Sequence, residues 1–379
     1  MFIRIIKAQI EQDLRDTNKI IILYGPRQVG KTTLVKELLE GYPNALSINA
    51  DQLLYNEVFS ARDLRKMQEL IGTKNLLFID EAQNIRDIGI NLKILHDEMP
   101  DLKIIATGSS SFELANNIRE PLTGRTKTYR LFPISAEEII RHSSVFEFKN
   151  QIEPLLLYGA YPEILRSTGV ENKIDRLDEL TSAYLYKDVL QLSGIKYADK
   201  IRKLLQMLAL QIGSTVSLNE IGKALGMSYE TVANYIDLLE KGFIIFRLSG
   251  YSNNPRKEIT KMNKIYFHDL GVRNNLINNY NPLALRTDTG ALWENFLIVE
   301  RMKKIKYARE LVNSYFWRTY TGVELDYVEE TGGMLYGFEM KWNKSAKAPA
   351  TWLENYPNAQ YACINRDNFV DFVSNMANT

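Results

Sequence analysis

A single cysteine in 379 residues, Cys363, has no partner within the chain, which excludes an intramolecular disulfide framework and a cysteine-based zinc site. Three scattered histidines argue against a His-rich metal centre. An excess of one charge is missing too: 47 Lys plus Arg face 46 Asp plus Glu, and the net +1 gives no global attraction to nucleic acid or to an anionic membrane. Contact with nucleic acid therefore has to come from a local patch. Long uncharged apolar runs are lacking. The opening MFIRIIKAQIEQDL breaks its apolar positions with charges and has no signal-peptide core, so the expectation is a cytoplasmic chain with no membrane segment.

The length fits two or three domains, each able to bury its own core. Phe2, Ile5, Ile6, Ile10 and Leu14 recur at helical spacing and predict a helix, either covering a nucleotide-binding sheet or simply packing. Up to residue 143, β-branched runs alternate with amphipathic stretches, the pattern of a parallel α/β sheet. Strands are expected at Lys19–Tyr24, Ala45–Asn49, Asn75–Ile79, Lys103–Thr107 and Thr128–Leu131. Residues 145–213 read as helical, with breaks at Tyr158–Pro162 and Leu192–Gly194, and residues 253–379 return to mixed α/β. There is no internal repeat and no low-complexity tract.

Gly25, Pro26, Arg27, Gln28, Val29, Gly30, Lys31 and Thr32 match G-x-x-x-x-G-K-[ST] between an apolar strand and a helix that begins near Thr33. Glycines let backbone N–H groups wrap phosphate, Lys31 neutralises β/γ charge, Thr32 ligates Mg2+, and the helix N-terminus adds its positive end. The apolar run Leu76–Ile79 ends in Asp80 and Glu81. Such a pair alone reads as a strand-end cap; about fifty residues after a phosphate loop it reads as a Mg2+ carboxylate and a water-polarising base. Ser109 follows a further strand and is placed to bond water or γ-phosphate, or to be part of a Ser-rich turn. Arg125, in a loop before the next strand, is either a surface arginine or a stabiliser of γ-phosphate charge, from the same subunit or from a neighbour in a homo-oligomer.

GPRQVGKTTL, LLFIDEAQ, ATGSSS, LTGRT and FPISAEE, in this order, resemble the AAA-type ATPases of bacteria and archaea that carry a second domain of unknown function after the ATPase core. Tyr158-Gly-Ala-Tyr-Pro162 and Tyr186-Lys-Asp-Val189 extend the similarity over essentially the whole chain. The resemblance implies ATP rather than GTP, Ser109 as a sensor and Arg125 as a phosphate-facing arginine. It supplies no biological role.

Ser217-Leu-Asn-Glu220 is a capping box before an apolar face of Ile221, Ala224 and Leu225, and Ser228 caps a second helix from Tyr229 to Glu240. With the strand-like run from Gly242 to Leu248, the order is that of a winged helix-turn-helix. Its second helix would present Tyr229, Glu230, Thr231 and Asn234, without positive charge; Arg256, Lys257, Lys261 and Lys264 are candidate phosphate contacts or a solvated face. Further on, strands are expected at Tyr315–Thr319, Val323–Val328, Leu335–Trp342 and Gln360–Ile364. Strand alternation sets Glu324 with Asp326, and Glu339 with Lys341. Glu294, Asp326 and Glu339-x-Lys341 resemble the PD-(D/E)xK nuclease core, in which carboxylates hold Mg2+ and a lysine orients water; the same fold also serves as a binding platform.

The expected fold is therefore α/β. A P-loop AAA-type parallel sheet occupies 1–143, a helical lid or linker 144–213, a winged helix-turn-helix 214–252, and a restriction-endonuclease-like α/β domain 253–379. The expected activity is Mg2+-dependent ATP binding and hydrolysis coupled to a DNA or protein partner through the C-terminal half. The alternatives are an ATP-gated Mg2+-dependent DNA nuclease, or a nucleotide switch that binds only a protein.

Overall fold

The computed structural model of the chain describes residues 2–108, 122–193, 198–252 and 263–376. They fall into two compact units, one of Ile3–Pro133 with Lys241–Phe243, the other of Met1–Phe2, Ile134–Glu240 and Ile244–Thr379.

The first unit is built on a parallel sheet of five strands: β1 (Ile20–Tyr24), β2 (Ala45–Asn49), β3 (Leu76–Asp80), β4 (Lys103–Gly108) and β5 (Thr126–Arg130), in the order β2-β3-β4-β1-β5. β1 is buried at every position and β3 at all but its last, as expected for strands covered on both faces. The five strands predicted from the sequence are all present, displaced by no more than two residues. The N-terminal helix, Ile6–Asp16, buries Ile6, Ile10 and Leu14. Phe243 belongs to this unit, with its ring 6.3 Å from that of Tyr24 and 6.4 Å from that of Phe132.

The second unit opens with helices, among them Ile152–Tyr158, Pro162–Arg166, Val170–Ser193 and Ala198–Leu210. The helical break expected around Gly159 occurs; the one expected at Leu192–Gly194 runs into residues outside those described. A seven-stranded mixed sheet follows, in the order β12-β11-β10-β9-β7-β8-β6. Its strands are β6 (Thr215–Val216), β7 (Ile245–Gly250), β8 (Asn263–Phe267), β9 (Asn313–Arg318), β10 (Glu324–Thr331), β11 (Met334–Met340) and β12 (Gln360–Ile364). β10 and β11 form a hairpin across Gly332-Gly333. The boundary expected between 252 and 253 falls inside this sheet, because β7 pairs parallel with β9 through Ser249–Tyr315 and Gly250–Phe316.

Between β6 and β7 lie the helices Leu218–Leu225 and Tyr229–Lys241, and β8 pairs antiparallel with both β6 and β7. The Ser217 hydroxyl accepts from the Glu220 N–H at 3.4 Å, and Ser228 accepts from Thr231 at 3.2 Å. Ile221 and Gly222 are the buried residues of the first of these helices, whereas Ala224 is exposed, so the apolar face is narrower than its spacing suggested. On β9, β10 and the helix Ala350–Asn355, Trp317, Leu325, Val328 and Trp352 form a buried cluster. Among the described residues, no helix is long and apolar enough to cross a membrane.

Candidate functional site

β1 delivers the chain into the loop at Gly25, where a Cβ would stand 2.0 Å from the Leu131 carbonyl oxygen, so only glycine fits. Gly30 caps the helix Lys31–Leu39 with φ +94°, a conformation glycine adopts at no steric cost. Arg4 fastens the loop from outside, donating to the Val29 carbonyl at 2.7 Å and to the Phe132 carbonyl at 2.6 Å. Pro26 and Val29 are buried, Arg27 is half-buried, and Gln28 and Thr33 are exposed. The Lys31 ammonium turns into the loop, donating to the carbonyls of Gly25 (2.9 Å) and Pro26 (2.8 Å).

β3 and β4 run parallel to β1 and end at the same edge of the sheet, which is where open α/β sheets bind ligands. There the Thr32 hydroxyl donates to Asp80 Oδ2 at 2.9 Å, joining the loop helix to the acidic strand end. Thr107 donates to the other oxygen of Asp80. Glu81 has φ +53°, uncommon for a non-glycine residue, and accepts from the Gln83 side-chain amide at 2.5 Å. Arg4, Gln83 and Thr107 were not singled out in the sequence; for Thr107 the signal was its place at the end of β4. Ser109 lies outside the described residues.

Arg125 sits elsewhere. Its carbonyl accepts from Ile20 N, the first residue of β1, whereas the loop leaves from the last. The strand between them spans about 16 Å at 3.3 Å per residue. Its guanidinium donates through Nε (2.8 Å) and Nη2 (3.1 Å) to the two carboxylate oxygens of Asp97, in the last turn of the helix Ile88–Glu98. Hydrogen bonds from Arg125, then His96, hold the Asp97 carboxyl down at about 2.

A second convergence lies in the other unit. Asp326 on β10 accepts from the Met340 N–H at 2.8 Å, and Lys341, just past β11, pairs with Glu339 at 2.5 Å. Asp326 and Glu339 stand one step along from the paired Tyr327 and Phe338. Glu294, on the helix Thr289–Ala308, accepts from the Tyr266 hydroxyl at 2.6 Å and from Lys264 at 3.1 Å. The structure therefore brings Glu294, Asp326, Glu339 and Lys341 into one region. Glu324 joins them 2.5 Å from Lys264, as its strand alternation with Asp326 predicts, and the structure adds Lys264 and Tyr266, which sequence reading had not placed there. Lys264 was expected as a phosphate contact or a solvated charge; it is 1% exposed and committed to carboxylates. Arg256, Lys257 and Lys261 lie outside the described residues. Burial pushes the Glu294 carboxyl up to about 7 against the pull of Lys264, and burial likewise raises Asp326 and Glu339. Burial opposes the charge on Lys264, but Glu294, Glu324 and Asp326 outweigh it and hold the ammonium above its usual range.

Residues 17–140 match the family model of an AAA domain, while 149–283 and 289–372 match two models described only as domains of unknown function. An uncharacterized protein of Mycobacterium tuberculosis is 29% identical over 326 residues, covering 85% of this chain and 70% of that protein. One from Methanocaldococcus jannaschii is 28% identical over 309 residues, 69% of this chain and 63% of its own. Among solved structures, the Orc1 protein of Aeropyrum pernix in complex with DNA aligns over 72% of this chain and 91% of its own, at 13% identity and a TM-score of 0.32. A likeness that low carries no inference about this chain. With its five-stranded parallel sheet and that family match, the α/β unit of residues 17–140 resembles AAA-type ATPases.

Proposed function

We propose that the chain binds ATP with Mg2+ at the loop Gly25–Thr32 and hydrolyses it, coupling nucleotide state to a DNA or protein partner through its C-terminal half. The observation that carries this reading is the hydrogen bond from Thr32 to Asp80. It sets a hydroxyl and a carboxylate side by side at the helix N-terminus, an oxygen-donor set suited to a hard cation. Mg2+ held there supplies charge neutralisation for the β- and γ-phosphates. The protein's own residues do the rest. Backbone N–H groups from Gln28 to Thr32 receive phosphate oxygens, and Lys31 exchanges its two carbonyl partners for phosphate. Thr107 fixes the carboxylate plane of Asp80. Glu81 orients the attacking water and Gln83 orients Glu81.

Ser109 is proposed as a sensor of γ-phosphate. Arg125, a full strand length from the loop, is proposed to act on the γ-phosphate of a neighbouring subunit in a homo-oligomer. The segment from β6 to β8 is read as a winged helix that presents Tyr229, Glu230, Thr231 and Asn234 to a partner. A second reading, a Mg2+-dependent nuclease centre, draws on the convergence of Glu294, Asp326, Glu339 and Lys341.

The test of the main reading is a pair of variants. Lys31→Ala should lose ATP binding, whereas Glu81→Gln should keep it and lose hydrolysis, because one residue holds phosphate charge and the other orients water. Normal turnover by Glu81→Gln protein removes Glu81 from its role, and tight binding by Lys31→Ala protein overturns the loop assignment.

A further inference from the structure

The C-terminal carboxylate cluster already holds a cation of its own. Lys264 projects from β8 with its Nζ 2.5 Å from Glu324, 3.1 Å from Glu294 and 3.9 Å from Asp326, and 5.5 Å from the centre of the Phe316 ring. A lysine ammonium carries three donors and no acceptor, so three surrounding carboxylates satisfy it in the way they would otherwise surround a metal. The second ammonium, Lys341, is committed to Glu339. Four carboxylates thus share two lysines, and the lysine nearer the centre is the buried one.

We propose that Lys264 is the resident cation of this centre: its ammonium takes the place between Glu294, Glu324 and Asp326 that a divalent metal would need, so the native cluster binds no Mg2+ or Mn2+, and removing that one amine converts it into a divalent-cation site. The chemistry follows from charge. Taking away the Lys264 amine leaves the four carboxylates with Lys341 on Glu339 and Arg318 3.6 Å from Glu324, an excess of negative charge that a divalent cation offsets. Lys264→Met keeps an unbranched apolar stem and deletes the ammonium. The inference is independent of the ATPase reading and opposes the nuclease reading, since metal-dependent chemistry here could begin only after Lys264 leaves.

The experiment is a Mn2+ titration of the full chain without nucleotide, read by the electron paramagnetic resonance of free Mn2+. Wild type and Asp326→Asn should show the same number of sites. Lys264→Met should gain one Mn2+ site per chain that neither wild type nor Asp326→Asn shows. That gained site should vanish in Lys264→Met/Asp326→Asn. A wild-type Mn2+ site abolished by Asp326→Asn overturns the proposal, and this comparison decides even if Lys264→Met fails to fold. A Lys264→Met protein that unfolds cooperatively yet gains no Mn2+ site overturns it as well.

Discussion

Glu294→Gln tests the electrostatics of the C-terminal unit most directly. The Glu294 side chain is 14% exposed and its carboxyl is pushed from 4.5 to about 7 by burial. Between those values the folded chain keeps a proton that the unfolded chain has released. The unfolded state binds fewer protons in that window, so stability falls as pH rises from about 4.5 to 7. A gap of about 2.5 units at 1.36 kcal/mol each amounts to about 3 kcal/mol. Glutamine imitates the protonated acid. The variant should therefore match wild type near pH 4.5 and exceed it by about 2–3 kcal/mol at pH 8. All four tryptophans, Trp293, Trp317, Trp342 and Trp352, belong to the second unit, so urea unfolding followed by their fluorescence reports that unit selectively. A Glu294→Gln protein less stable than wild type at pH 8 would refute the reasoning, because it would mean that pairing the ionised Glu294 with Lys264 is a net gain rather than a net cost.

Two further outcomes are expected. Arg125→Ala should abolish most ATP hydrolysis, and mixing it with Lys31→Ala protein should restore part of it, since each variant retains the half-site the other lacks; no recovery in a demonstrated mixed oligomer refutes action across subunits. Trp352→Ala should cost about 3–5 kcal/mol in urea unfolding, because the ring is fully buried with its centre 5.2 Å from that of Trp317 and 4.6 Å from that of Tyr356. A loss under about 1 kcal/mol would mean that the cluster repacks around the gap.

By itself the sequence determined what local spacing determines. Apolar runs of five residues set the strands, and Ala45–Asn49 and Gln360–Ile364 have the same bounds in sequence and structure. The strand–loop–helix order around Gly25–Thr32 likewise lies within one contiguous stretch, where local propensity and patterning agree. Tertiary structure decided the encounters between distant segments. Thr32 meets Asp80 and Thr107 because parallel strands end at one edge, and Arg125 lies at the other because β5 begins where β1 begins. Lys264 illustrates the limit most sharply. In sequence it is one charge among several near residue 260, with nothing to separate a solvated face from a buried cation. Only the tertiary fold, which brings β8 to the helix of Glu294 and, past β7 and β9, to the strand of Glu324 and Asp326, gives it three carboxylates, because burial and charge pairing depend on residues 30 to 62 positions away.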